Sequence, residues 1–194
     1  MIVTIDTGGT KTLVSSFGRN GHMGESIKFP TPPKPADYVQ TLKSVVRERY
    51  GHETVDVIVI ALPGIIRNGV AVWCQNLGWS NFEASDALKD LLPGVPVLIE
   101  NDANLAGLAE TRALSPTPTS SLYITISTGI GSGICTNGFI DPGLRYSEAG
   151  RALVEYDGVV RPWETFASGH AIVDVYKKFA RDITSKRTWR QIAD

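Results

Sequence analysis

Two short β-branched runs, each broken by a Gly-rich turn and then resumed, constrain this chain more than any other feature. The first is Ile2 to Ile5, then Asp6-Thr7-Gly8-Gly9-Thr10, then Thr12 to Phe17. The second is Ser121 to Ser127, then Thr128-Gly129-Ile130-Gly131-Ser132-Gly133, then Ile134 to Thr136. β-Branched residues suit a pleated, half-buried surface, and glycines permit a tight reversal between two such runs. The pattern predicts two hairpins, each opening one half of the chain. It is an internal duplication of architecture rather than of residues.

The segments between them predict an α/β protein. Phe29 to Pro35 holds four prolines and reads as a loop. Ala36 to Tyr50 carries Val39, Leu42, Val45 and Val46 near helical spacing and is closed by Gly51. Val55 to Leu62 and Val95 to Ile99 are apolar runs that read as buried strands, the former a central one. Asn81 to Leu92, Ala103 to Leu114 and Trp163 to Ala180 read as helices. Strands followed by alternating helices and strands give a mixed sheet with helices on its faces. Ser115 to Ser121 is rich in Pro, Ser and Thr, which places domains at 1–114 and 121–194, the second unfinished where the chain stops.

Composition excludes several classes. The formal net charge of −1 over 194 residues gives no electrostatic case for nucleic acid or a membrane surface. No apolar run approaches the ~18 residues that span a bilayer, and Met1 to Thr12 has no basic and apolar leader. A cytoplasmic protein is expected, with Cys74 and Cys135 as reduced, buried thiols.

Three stretches carry chemistry. In Asp6 to Thr12, Gly8 and Gly9 let backbone N–H groups approach phosphate oxygens, Thr10 adds a hydroxyl and Lys11 a positive charge. Asp6 beside a phosphate makes sense as a carboxylate that helps to place a cation. An ordinary hairpin turn would also use Gly-Gly, and no GK[ST] opens a helix here. Thr128, Gly129 and Gly131 form the second candidate turn, not a dinucleotide fingerprint, because no helix follows. Asn101-Asp102 ends a strand just before a helix, where open α/β sheets place ligands. The positive helix end would keep Asp102 ionised and able to accept a hydroxyl proton. A plain N-cap is the alternative there.

These residues resemble the ROK sugar kinases of the actin-like ATPase superfamily. The matching elements run in order: Asp6 to Thr12, Leu62-Pro63-Gly64, Asn76-Leu77-Gly78-Trp79, Glu100 to Asn104, Ser127 to Gly133, Ser147 to Arg151 and Trp163 to Gly169. The resemblance implies an actin-like (ribonuclease H-like) fold of two domains with a cleft, the second incomplete. It implies Asp6 to Thr12 and Thr128 to Gly133 as phosphate loops for ATP with Mg²⁺, and Asp102 as the catalytic base. Asn101 and Asn76 become sugar contacts, Gly64 a backbone contact, and Glu148 and Glu164 acceptors of sugar hydroxyls.

Two departures from the family shape the expectation. Arg151 stands where the family has a histidine, and the cysteine cluster that normally follows is missing. The resemblance is therefore to the zinc-free branch, which includes polyphosphate-using glucokinases, and no zinc is expected. Arg151 is a sugar contact, a surface residue or a residue paired with Glu148 or Glu155. The family also continues with further strands and a third Gly-rich loop for adenosine, so the chain is expected to be incomplete, with nothing to enclose adenine. No helix-turn-helix precedes Met1, as the family's repressors have. The expected activity is an ATP-dependent, glucokinase-like hexose kinase acting on a small sugar and a nucleotide; a second copy of the chain is the one protein partner allowed for. The alternative is a non-catalytic sugar sensor or an inactive, truncated member of the family.

Overall fold

The computed structural model describes residues 1–193. The first hairpin is β1 (Ile2–Thr7) and β2 (Lys11–Phe17), antiparallel, with Thr7 opposite Thr12. β3 (Ile27–Pro30) pairs with β2, so the expected loop at Phe29 begins as strand; Pro30 is tolerated there because the strand lies at the sheet edge. Helix α1 (Pro35–Tyr50) follows, with proline in its first turn, Asp37 near its start and Arg47 and Arg49 near its end. Then come β4 (Val57–Leu62), a three-stranded antiparallel sheet of β5 (Ile65–Arg67), β6 (Val70–Cys74) and β7 (Trp79–Phe82), the short α2 (Ala84–Leu88), β8 (Val97–Asn101) and α3 (Asp102–Ala113). The main sheet has the order β3-β2-β1-β4-β8, with β4 parallel to both β1 and β8.

The alternation of β1 explains the core. Val3, Ile5 and Thr7 point to one face, and the same face takes Val14, Ile58, Ile60 and Leu62. Against it α1 sets Tyr38, Leu42, Val46 and Tyr50, spaced by four and all buried. The opposite face carries Asp6, Lys11, Lys28, Val59, Leu98 and Glu100 and is largely open. β4 is thus buried on one face rather than two, and β8 is an edge strand with Leu98 58% exposed.

The chain divides into two compact units, Met1–Leu105 and the residues from Ala106 onward. In the second, β9 (Ser120–Ile126), β10 (Ile130–Thr136) and β11 (Phe139–Ile140) repeat the order of the first three strands as β11-β10-β9. A hairpin, β12 (Leu153–Tyr156) and β13 (Val159–Pro162), turns on Asp157-Gly158, both at positive φ. Helices α4 (Glu164–Ala167), α5 (Gly169–Tyr176) and α6 (Lys186–Ala193) complete the unit.

Two expected helices are shorter than their sequences suggested. Over Asn81 to Leu92 only α2 is helical, because Asn81 takes φ 50 within β7. Over Trp163 to Ala180 the helix breaks at Ser168, whose extended backbone and Oγ cap the start of α5 through the Ala171 N–H at 3.2 Å. Lys177, left-handed, ends it. Among the described residues no helix is long and apolar enough to cross a membrane.

Candidate functional site

In the first unit the turn between β1 and β2 is narrow and pinned. The Gly8 N–H donates to the Lys11 carbonyl at 2.9 Å, the Thr31 hydroxyl donates to the Gly8 carbonyl at 2.7 Å, and the Thr31 N–H donates to the Thr10 carbonyl at 3.2 Å. Thr7 is buried and shares a 2.7 Å hydrogen bond with the equally buried Tyr38 hydroxyl, so α1 anchors the end of β1. Burial is what drives the Tyr38 phenol far above its ordinary pKa. Gly9, Thr10 and Lys11 remain exposed on the rim. Among the described residues the Gly9 and Thr10 N–H groups have no partner, which leaves two donors for an anion.

Asn76 meets this turn directly. A Cβ on Gly9 would lie 2.7 Å from the Asn76 carbonyl oxygen, so glycine there serves a close approach between segments 67 residues apart. The Asn76 segment is itself held by Trp79, which packs on Tyr38 at 4.9 Å and donates through Nε1 to the Pro33 carbonyl at 2.8 Å.

At the carboxyl end of β8, Asn101 is the residue that caps α3. Its Oδ1 accepts from the Asn104 N–H at 2.9 Å, and its Nδ2 donates to the Gly64 carbonyl at 2.8 Å. Both ends of this buried amide are engaged, with one Nδ2 hydrogen left over. Asp102 is therefore not the cap. It opens the helix and accepts the Ala103 N–H at 2.8 Å. Asp102 keeps an exposed surface, yet its carboxyl is hemmed in enough for desolvation to raise its pKa. The Ala103 N–H opposes this, and the negative charge of Asp6 adds to it. Desolvation thus outweighs the hydrogen bonds at the helix start in setting the direction of the shift. Asp6 is exposed on the open face, and its charge reaches Asp102. Exposed carboxylate oxygens of this kind suit Mg²⁺, which takes one or two carboxylates and fills its other positions with water and phosphate.

In the second unit Thr128 and Gly129 form the turn between β9 and β10, held by α5. The Gly169 N–H donates to the Ser127 carbonyl at 2.7 Å and the His170 N–H to the Thr128 carbonyl at 3.0 Å. Gly131 is not in the turn: it lies in β10 opposite Thr125. Gly133 is also in the strand, and a Cβ on Gly107 of α3 would come within 3.1 Å of its Cα. Gly133 thus serves helix–strand packing.

Glu164, at the start of α4, packs on two glycines. A Cβ on Gly129 or Gly150 would lie 2.8 or 2.9 Å from its Oε2. Its Oε1 lies 3.5 Å from Arg151 Nε, so Glu164, which was not considered from sequence, is an ion partner of Arg151. Glu148 precedes the 3-10 turn that carries Arg151, and its carbonyl accepts the Arg151 N–H at 2.9 Å. Next to Thr128 lies an apolar cavity of about 500 Å³, lined by Ile126, Ser127, Ser168, Val173, Phe179 and Arg181 among others. The Arg181 guanidinium stacks over Phe179 at 4.7 Å.

Several positioning residues escaped sequence reasoning. Tyr38 and Thr31 have no local motif; their roles depend on contacts across 31 and 23 residues. Glu100, inside a recognised motif, braces α3 by accepting from the Asn101 N–H at 2.9 Å and Asn104 Nδ2 at 3.0 Å. Cys74 and Cys135 are buried and form no disulfide, and among the described residues no cluster of three or more His, Cys, Asp or Glu side chains could hold a metal ion.

The ROK family model matches residues 2–193. N-acetylmannosamine kinase of Shigella flexneri is 32% identical over 166 residues, 82% of this chain and 56% of that protein. The chain thus spans little more than half the length of the curated relatives it matches. Among solved structures, a ROK family glucokinase from Streptomyces griseus in complex with glucose and AMPPNP superposes with a TM-score of 0.75 at 26% identity, covering 91% of this chain and 60% of that one. The inorganic polyphosphate/ATP-glucomannokinase from Arthrobacter sp. strain KM gives 0.73 at 30% identity, covering 89% and 70%. The fold is that of the actin-like ATPases.

Proposed function

Since the chain belongs to the ROK family, we propose that it is the body of a sugar kinase that transfers the ATP γ-phosphoryl group to a hexose hydroxyl. In this reading residues 1–114 and 121–194 are its two domains. The observation that carries it is Asp102: a carboxyl at a helix start, freed from capping by Asn101, with its pKa raised by burial and by Asp6. Raised basicity suits a group that accepts a hydroxyl proton.

The chemistry balances simply. The hydroxyl oxygen bonds to the γ-phosphorus, the bond from that phosphorus to the bridging oxygen breaks, ADP leaves, and Asp102 takes the hydroxyl proton. In the first unit the Gly9 and Thr10 N–H groups and Lys11 bind phosphate oxygens, with Gly8 shaping the turn. Asp6 would hold Mg²⁺, which would supply charge neutralisation. Gly64, Asn76 and Asn101 contact the sugar. In the second unit Thr128, Gly129 and Gly131 form the other phosphate segment, Glu148, Arg151 and Glu164 bind sugar hydroxyls, and the cavity beside Thr128 accepts the nucleoside.

Support for the acceptor class comes from relatives whose names specify N-acetylmannosamine, glucose and mannose chemistry. The test is an ADP-release assay with glucose, mannose and N-acetylmannosamine, on the full-length protein and on its D102N variant. Turnover on at least one sugar, reduced at least ~100-fold by D102N with sugar binding retained, is expected for loss of a positioned base. Sugar binding with no turnover would replace the reading with that of a sensor.

A further inference from the structure

We propose that Lys28 is a second cation of the first Gly-rich turn and that, with Lys11, it binds a chain of phosphoryl groups lying along the open face of the first sheet. The proposal rests on reading that turn as a phosphate loop.

Lys11 and Lys28 come together through strand register. Lys11 is opposite Pro30, and Leu13, two residues along β2, is opposite Lys28. Side chains two apart on a strand share a face, so Lys11 and Lys28 are diagonal neighbours on the same face of β2 and β3. That is the open face, and both residues are exposed on it. Asp6, opposite Leu13 from the other side, is in the same row. One carboxylate and two ammonium groups therefore share one end of an uncovered sheet face.

The arrangement is held in place. Thr31, one residue beyond β3, bonds both the Gly8 and Thr10 carbonyls and shares a 2.9 Å bond with Thr12. The turn and the strand that carries Lys28 are thus fastened together. Like charges placed side by side on a sheet repel. Among the described residues neither lysine has a carboxylate within ion-pair distance. The contact leaves its mark on Lys28, whose pKa is lowered by Lys11, which donates to the neutral amine of Lys28 and repels its ammonium form. A ligand bearing several negative charges would relieve this repulsion, and the unpaired Gly9 and Thr10 N–H groups lie at the start of the track. A phosphate chain coordinated to a cation at Asp6 has that charge pattern.

The test is calorimetric titration of this chain with tripolyphosphate and with MgATP at low salt, for wild type, K28Q, K28R and K89Q. Lys89, paired with Asp86 on α2, controls for loss of one positive charge elsewhere in the unit. K28Q should weaken tripolyphosphate binding about 5- to 10-fold, as for a lost charge-assisted contact, while K28R and K89Q bind nearly as wild type. Weakening of both ligands assigns Lys28 to the nucleotide's own phosphates; weakening of tripolyphosphate alone assigns it to an inorganic chain. Unchanged tripolyphosphate affinity in K28Q, or an equal loss in K89Q, overturns the proposal. Hexose phosphorylation measured alongside separates the two readings. Turnover with unaltered K28Q binding sinks only the Lys28 assignment. Lys28-dependent binding without turnover sinks only the kinase.

Discussion

The carbonyl oxygen of Asn76 rests against Gly9, leaving no room for a Cβ at that position. The turn proposed for the donor and the segment proposed for the acceptor are therefore in direct backbone contact within one unit. G9A should force the two apart. Steric insertion of this kind typically costs about 1–3 kcal/mol, and urea unfolding will read it. ATP affinity should fall with it, because the Gly9 and Thr10 N–H groups are displaced. An unaltered urea midpoint in G9A would show that the segments yield without strain.

Tyr38 and Thr7 supply a second link, through their 2.7 Å buried hydrogen bond. Y38F leaves the Thr7 hydroxyl buried and unpaired, a loss of about 1–3 kcal/mol. T7V replaces that hydroxyl with an apolar group of the same shape. The double variant should be less destabilised than the sum of the singles by about 1 kcal/mol. Strict additivity in the urea midpoints would mean that the bond contributes nothing.

The pH response of Asp102 has a definite sign. Its pKa in the folded chain is raised, first by burial and also by Asp6. Its contribution to stability is thus fully present below the unfolded value of about 3.9 and is lost as pH rises through the folded value. D102N, uncharged throughout, should gain in Tm over wild type as pH rises through that window and show little difference below it. D6N should move the Asp102 titration, followed by carboxyl carbon NMR, toward lower pH. An unmoved titration would show that Asp6 exerts no field at Asp102.

How much of this was legible in the sequence depends on distance along the chain. The β1–β2 hairpin was plain from β-branched residues flanking Gly8-Gly9, and α1 from its apolar spacing and terminal Gly51. The strand-to-helix step at Asn101-Asp102 was equally local. The split of the expected helix at Ser168 was hidden because Ser is tolerated in helices, and only the Ala171 bond reveals it as a cap. Gly131 and Gly133 looked like turn residues because sequence cannot distinguish a glycine that bends the chain from one that lies in a strand, as Gly133 does against Gly107 of α3. Thr31, Tyr38 and the Gly9–Asn76 contact depend on tertiary proximity, which no local pattern encodes.

Arg151 illustrates the same limit and yields the last prediction. Sequence marked it as a departure from the family, and the fold pairs it with Glu164 at 3.5 Å, with both side chains partly exposed. An ion pair so placed contributes less than about 1 kcal/mol, so R151Q should unfold almost as wild type does. Its effect should instead appear in selectivity. Arg only donates hydrogen bonds and keeps its charge at every accessible pH. Beside Glu164 it offsets the carboxylate that would otherwise attract an ammonium group. Wild type should therefore bind glucose in preference to glucosamine, and R151Q, leaving Glu164 without this partner, should narrow or reverse that preference. The narrowing should shrink with added salt, since both charges reach solvent. Calorimetric titrations with the two sugars at two ionic strengths will measure it. An unchanged ratio in R151Q, or glucosamine binding tighter than glucose in wild type, would remove Arg151 from the sugar site.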